Sequence, residues 1–244
     1  MNRLILCEGK TDAILLGYYL MKTDGWALER KPPSGLDIKA QERTENVVWY
    51  KKGNEKLMIC AVGGKDNFER FFSRDIQRAI LNASNGDPFP RIALVTDRDD
   101  RNIEEIEKDI AEQLSPFFIG TKNREWIVNR YLDSFGMEKR IETLLLIIPA
   151  EHQGALENVM LDAISEDPYD QNIVDKCMSF VAAIRPEANR YIATDRLQLK
   201  ANLSTVWAIQ SPEKAFDFID AQIKSVQWEK YETLNQCFGM LKGI

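Results

Sequence analysis

Glu8, Asp97 and Asp99 are the residues of this chain whose types and spacing could do chemistry. Each stands where a short apolar run stops. Leu4-Ile5-Leu6-Cys7 runs into Glu8-Gly9-Lys10-Thr11-Asp12, and Ile92-Ala93-Leu94-Val95-Thr96 runs into Asp97-Arg98-Asp99-Asp100. Continuous apolar runs of this length predict strands buried on both faces of a parallel sheet, and ligands of such sheets gather at the carboxyl ends of the strands. If the two strands are neighbours, the three carboxylates converge. Like charges so placed repel, so a cation must compensate them or one carboxyl must keep its proton. A cluster of hard oxygen donors selects Mg²⁺ or Mn²⁺.

The elements that would position these groups follow from the apolar spacing. A strand over Leu4 to Cys7 precedes a helix from about Thr11 to Lys22, in which Ile14, Leu15, Tyr18, Tyr19 and Met21 recur near helical spacing. A polar insertion near 23–56 carries Val47-Val48-Trp49-Tyr50 and Leu57-Met58-Ile59-Cys60 on either side of Lys51-Lys52-Gly53-Asn54, which predicts a hairpin. Its second arm ends at Gly63-Gly64-Lys65-Asp66, and a helix is expected from Asp66 to about Leu81. A turn at Asn85 to Pro90 precedes the strand that ends in Asp97, and Ile103 to Leu114 forms the next helix. Ser115 to Arg140 fits neither period. Thr143 to Ile148 reads as a further strand stopped by Pro149, and Glu151 to Glu157 opens a helix. From Asn172 onward helices are expected over 173–184, 195–209, 212–223 and 228–241. The fold class is therefore α/β, a mainly parallel sheet with flanking helices over 1–170 and a helical C-terminal extension over 171–244 packed on it.

Composition removes several alternatives. With 244 residues, 44% apolar and 29% charged, the chain has the make-up of a soluble globular protein. Its most apolar run, Leu144 to Ile148, is far too short to span a bilayer. The N-terminal residues lack a secretory signal, so a cytoplasmic location is expected. Cys7, Cys60, Cys177 and Cys237 lack Cys-x-x-Cys pairing, and His152 is the single histidine. Neither a zinc cluster nor a Ser-His-Asp triad follows from such a set. A formal charge of −6 argues against global attraction to nucleic acid, yet the charge is uneven. Lys22 to Lys56 holds eight basic and six acidic residues, whereas Asp97 to Asp170 holds eight basic and eighteen acidic. Gly63-Gly64-Lys65 lacks the spacing of a Walker loop, and its glycines are expected to let backbone approach the site.

The order of the two acidic motifs resembles the TOPRIM domain of topoisomerases, primases and certain nucleases. Glu8-Gly9-Lys10-Thr11-Asp12 is similar to the Glu-Gly-x-x-Asp opening of that family, and Asp97-x-Asp99 to its metal pair. The resemblance covers about the first 120 residues and is closest to OLD-type nucleases and small ribosomal-RNA maturases. It implies a TOPRIM-like sheet, Mg²⁺ or Mn²⁺ as cofactor, and DNA or RNA as partner. Asp97 and Asp99 would hold a first ion, with Glu8 sharing it or moving a proton. Glu157, after Gly154, resembles a later acidic ligand and is the candidate for a second ion, with Asp12 beside it. Lys65 and Lys200 would stabilise charge on a phosphate.

Each assignment has a plain structural counterpart. Asp12 could cap its helix, Asp97 to Asp100 could be a solvated loop, and Glu157 could be a first-turn glutamate favoured by the helix dipole. Glu151 could take the place of Glu157, and Lys65 and Lys200 could be exposed helix lysines. The functional expectation is a metal-dependent nuclease hydrolysing phosphodiesters. A second expectation is a catalytically weak TOPRIM module that binds metal or nucleic acid and works with a partner ATPase, since the chain has no Walker motif. A phosphatase of the haloacid-dehalogenase type fits less well. There the Asp-x-Asp follows the first strand, whereas here it comes late and leads into Asp100-Arg101.

Overall fold

Seven strands form one sheet in the order β2-β3-β4-β1-β5-β7-β6. The structure is a computed structural model. It describes all residues except Met1, Asp37, Ser84 to Asp87, Ala215 and Phe216. The strands are β1 (Asn2–Cys7), β2 (Ala27–Glu29), β3 (Asn46–Lys52), β4 (Glu55–Ala61), β5 (Arg91–Asp97), β6 (Trp126–Leu132) and β7 (Glu138–Ile148). The parallel pairs are β4–β1, β1–β5 and β5–β7. Antiparallel strands flank them on both sides, β3 and β2 on one and β6 on the other.

Alternation along the central strands sends side chains to two separate cores. Ile5, Cys7, Ile59, Val95, Leu144 and Leu146 face α1 (Lys10–Thr23) and the C-terminal helices. Leu4, Leu6, Met58, Leu94 and Leu145 face Phe68, Phe71, Phe72, Ile106 and Phe117 on the other side. Both faces of the central strands are covered, which is why their sequences are continuously apolar. The hairpin lies where the sequence puts it, with Lys52 paired to Glu55 and Gly53 supplying a φ of +58° at the turn.

The remaining helices are α2 (Phe68–Phe71), α3 (Arg78–Leu81), α4 (Ile103–Gln113), α5 (Leu156–Ile164), α6 (Pro168–Ile184), α7 (Asp195–Gln210), α8 (Ile219–Ser225) and α9 (Glu232–Phe238). The helix expected over 66–81 is present but uneven, because the π-helical stretch Phe72–Gln77 joins α2 to α3. The two last expected helices are broken. Over 212–223 there is a 3₁₀ turn at Pro212–Lys214 and then α8, with 215 and 216 outside the described residues. Over 228–241, 3₁₀ turns precede and follow α9. The turn expected at Asn85 to Pro90 lies partly outside the described residues.

Residues from α5, α6, α7, α8 and α9 share one core with the sheet: Val159, Val174, Leu203, Val206, Ile223, Leu234 and Phe238 pack with Leu144 and Ile148. Among the described residues no helix is long and apolar enough to cross a membrane.

Candidate functional site

β1 and β5 are adjacent and parallel, with Cys7 opposite Val95, so Glu8 stands beside the last residues of β5. Glu8 is buried, 3% exposed. Its Oε1 accepts from Thr96 Oγ1 at 2.7 Å and from the Asp97 N–H at 2.9 Å. Its carbonyl accepts the N–H groups of both Gly63 and Gly64 at 2.9 Å. Those amides are therefore spent on the strand end and form no phosphate cradle. Gly63 has φ +86°, and a Cβ there would lie 2.6 Å from the side-chain Oγ1 of Thr44, so backbone conformation and the Thr44 side chain both favour glycine at this position.

Asp12, one turn into α1, faces the same cleft and does two things at once. Oδ2 accepts from the Gly9 N–H at 3.1 Å, capping the helix. Oδ1 is buried with no hydrogen-bond partner, although the residue is only 8% exposed. Asp97 Oδ1 accepts the first amide of α5, Leu156 N–H, at 2.9 Å, which ties the end of β5 to a helix N-terminus. Asp99 has a φ of +52°, uncommon for a residue with a side chain, and exchanges two backbone hydrogen bonds with Gly154, at 2.7 and 2.8 Å. Gly154 is itself at φ +146°, and a Cβ on it would meet Asn158 Oδ1 at 2.3 Å. This pairing holds Asp99 so that Oδ2 meets Lys65 Nζ at 2.5 Å.

The cation at the centre is one that sequence reasoning missed. Arg196, in the first turn of α7, places Nη2 3.3 Å from Asp97 Oδ2 and 3.9 Å from Glu8 Oε2, and Nη1 3.5 Å from Asp99 Oδ1. Its side chain is 46% exposed. The one signal was positional. Thr194 caps α7 through its side chain, so Arg196 sits at the helix start, where the macrodipole disfavours positive charge. A residue in local conflict needs a reason from elsewhere in the fold.

Glu8, Asp12, Asp97, Glu157, Arg196 and Lys200 line one cleft of about 440 Å³, with Lys10, Thr11 and Arg43 also on its wall. The structure thus brings Glu8, Asp12, Asp97 and Glu157 to one place, with Lys200 on the same wall. Asp99 joins them through Arg196, and Lys65 joins through Asp99. Glu151 is exposed, and its carboxylate stands 4.0 Å from Arg124.

Burial dominates the electrostatics. It raises the Glu8 carboxyl above its ordinary value, despite opposing hydrogen bonds from Thr96 and the Asp97 amide and the charge of Arg196. Burial, then the charge of Glu8, raises Asp12 to about 7. Asp97 is pushed well above its ordinary value by burial and by Asp12, Glu8 and Glu157, with Arg196 working the other way. The hydrogen bond to Asp99 raises the Lys65 ammonium. Burial works against the charge of Arg196, but Asp97, Asp99 and Glu8 outweigh it and keep the guanidinium firmly protonated.

The donors at this site are all hard oxygens, and the bare Asp12 Oδ1 is an acceptor for which the protein supplies no donor. Both features fit a divalent ion of the magnesium type. Among the described residues, however, no three Asp, Glu, His or Cys side chains stand close enough to make a ready ligand cage. Arg196 occupies the point towards which three of the carboxylates face.

Fold and site together define an α/β protein with a buried acidic cleft at the carboxyl edge of a central parallel sheet. The chain belongs to the family described as Protein of unknown function (DUF3226), which matches residues 2–238. No curated protein matches it. Among solved structures, the crystal structure of hypothetical protein PH0156 from Pyrococcus horikoshii OT3 is similar, with 16% identity and a TM-score of 0.49 over 98% of this chain and 99% of that one.

Proposed function

We propose that this protein is a TOPRIM-like, divalent-metal-dependent hydrolase of phosphodiester bonds in DNA or RNA, of the OLD or maturase kind. The observation that carries the reading is the unpartnered Oδ1 of Asp12, buried in a cleft that also holds Glu8, Asp97 and Glu157. The motifs Glu8-Gly9-x-x-Asp12 and Asp97-x-Asp99 support it. Glu8, Asp97 and Asp99 would hold a first Mg²⁺ or Mn²⁺, and Asp12 with Glu157 a second. Such ions supply positive charge for a phosphoryl oxygen and make water a stronger acid.

The chain's own groups do the rest. Glu8 Oε1 is held by Thr96 and the Asp97 amide, which leaves Oε2 as the atom that would share the ion or move a proton from the attacking water. Arg196 and Lys200 on one wall, with Lys10 and Arg43 among the other lining residues, attract and orient the phosphate. Lys65 holds Asp99 in place. Incubating the protein with plasmid and with structured RNA, with Mn²⁺ or with chelator, tests the reading. Metal-dependent cleavage that Asp97→Asn abolishes supports it; intact substrates at every metal concentration overturn it.

The position of Arg196 favours a second reading. With a guanidinium among the carboxylates and no ready ligand cage, the resting chain is suited to a metal- or nucleic-acid-binding module that a partner ATPase opens. Cleavage that appears only after a partner is added would select this reading.

A further inference from the structure

Arg98 stands between Asp97 and Asp99 in the chain and just before Asp100, so charge alone would turn its guanidinium to those carboxylates. The half-buried side chain does something else. Nη1 donates to the Ala150 carbonyl at 3.1 Å and Nε to the Arg101 carbonyl at 3.2 Å. The carboxylates take their cations from far along the chain instead, Asp99 from Lys65 and Arg196, and Asp97 from Arg196. An arginine flanked by aspartates is thus bound to two neutral carbonyls.

Those carbonyls belong to two different turns. Arg101 is in the turn after β5, which carries Asp97 and Asp99, and Ala150 is in the turn between β7 and α5, ahead of Glu157. Backbone and side-chain bonds join the same two turns elsewhere. The Arg98 N–H donates to the Ile148 carbonyl at 2.7 Å, Asp99 and Gly154 exchange their bonds at 2.7 and 2.8 Å, and Gln153 Nε2 donates to the Asp100 carbonyl at 2.7 Å. Leu156 N–H closes the set on Asp97 Oδ1. Arg98 adds what the others lack, a rigid planar group that grips its own turn and the opposite one at once.

We infer that Arg98 is a positioning residue: it makes the turn after β5 and the turn before α5 move as one body, and so sets the spacing of Asp97 and Asp99 against Glu157. The inference rests on the proposed metal site and deepens it, because acidic groups from the two turns are then held in place before any ion arrives. Lysine could not replace it. An ammonium is a single point donor on a flexible stem, which can hold one of the two carbonyls but not both, and its charge would be free to fall on Asp99 or Asp100.

Amide hydrogen exchange followed by NMR on the metal-free protein tests the assignment with Arg98→Ala and with Arg98→Lys, which keeps the charge and most of the stem. In both variants the amides of Asp99 and Gly154, which bond to each other's residue, are expected to exchange at least about tenfold faster and to rise together. Those of Val95 and Leu146, partners in the central sheet, keep their rates. Calorimetry is expected to show Mn²⁺ binding weakened about tenfold in both variants. Unchanged exchange at Asp99 and Gly154, an equal acceleration at Val95 and Leu146, or full protection in Arg98→Lys overturns the inference. Local opening in the variants of a protein that binds no Mn²⁺ would keep the clamp between the turns and remove the hydrolase. Unchanged exchange in a protein that cleaves with Mn²⁺ would keep the hydrolase and remove the clamp.

Discussion

The backbone N–H of Asp97 donates to Glu8 Oε1 at 2.9 Å across the junction of two parallel strand ends. With Thr96 Oγ1 on the same atom, half of the Glu8 carboxylate is held by the protein before any ligand arrives. Thr96→Val keeps the shape and removes one donor from a buried charge. It is expected to cost about 1 to 3 kcal/mol, whereas Thr96→Ser stays near wild type. Urea denaturation of the two variants checks this, and equal stability would show that the hydroxyl does not restrain Glu8.

Asp97 serves helix and cleft with different atoms. Asp97→Asn keeps an Oδ1 for the Leu156 amide while removing one charge from a repelling cluster, so metal-free stability should stay within about 0.5 kcal/mol of wild type. Asp97→Ala also orphans the first amide of α5 and should cost about 1 kcal/mol more. Thermal melts separate the two, and calorimetry with Mn²⁺ should show binding lost in both.

Arg196 and a divalent ion carry charge of the same sign into one space. Arg196→Gln should therefore lower metal-free stability by about 1 kcal/mol, a modest figure because the guanidinium is half exposed, and should strengthen Mn²⁺ binding about tenfold or more. Weaker Mn²⁺ binding in the variant would make Arg196 a support of the ion site rather than its competitor.

Asp12 gives the metal-free protein a pH dependence with a definite sign. In the unfolded chain its carboxyl ionises near the ordinary 3.8, and in the folded protein near 7. Between those values the folded state holds the extra proton, so stability declines as pH rises from about 4 to 7 and levels off above. Glu8 and Asp97, also raised, act in the same direction. Denaturant midpoints measured with chelator at pH 5 and pH 8 should be higher at pH 5 once Asp12→Asn, which removes the titration, is used as the reference; a wild-type difference no larger than that of Asp12→Asn would place the charge elsewhere.

The central strands and the two acidic motifs were legible because their side chains obey simple periods. β1 and β5 are apolar on both faces, and each motif stands where its strand ends. β6 was not legible, because its alternation is inverted. Val128 and Leu132 face solvent, while Asn129 is buried with its amide on Thr143 Oγ1 at 2.9 Å. The roles of Asp12 as cap and as open acceptor looked like alternatives in the sequence, yet two oxygens of one carboxylate allow both. Arg196 was hidden for a different reason. Its partners Glu8 and Asp97 are remote in sequence, and only the packing of α7 on α5 and α6 delivers it to them.

That late position of Arg196 divides the site between two parts of the chain. Residues 1–170 contain the whole acidic floor, Glu8, Asp12, Asp97, Asp99 and Glu157, but not the guanidinium that stands among Glu8, Asp97 and Asp99. The stretch of chain that brings this guanidinium also supplies Leu203, Val206, Ile223 and Phe238 to the core shared with the sheet. The last quarter of the chain therefore both covers one face of the sheet and supplies the positive charge of the cleft at Arg196, so removing it would expose an apolar face and an unpaired acidic floor together.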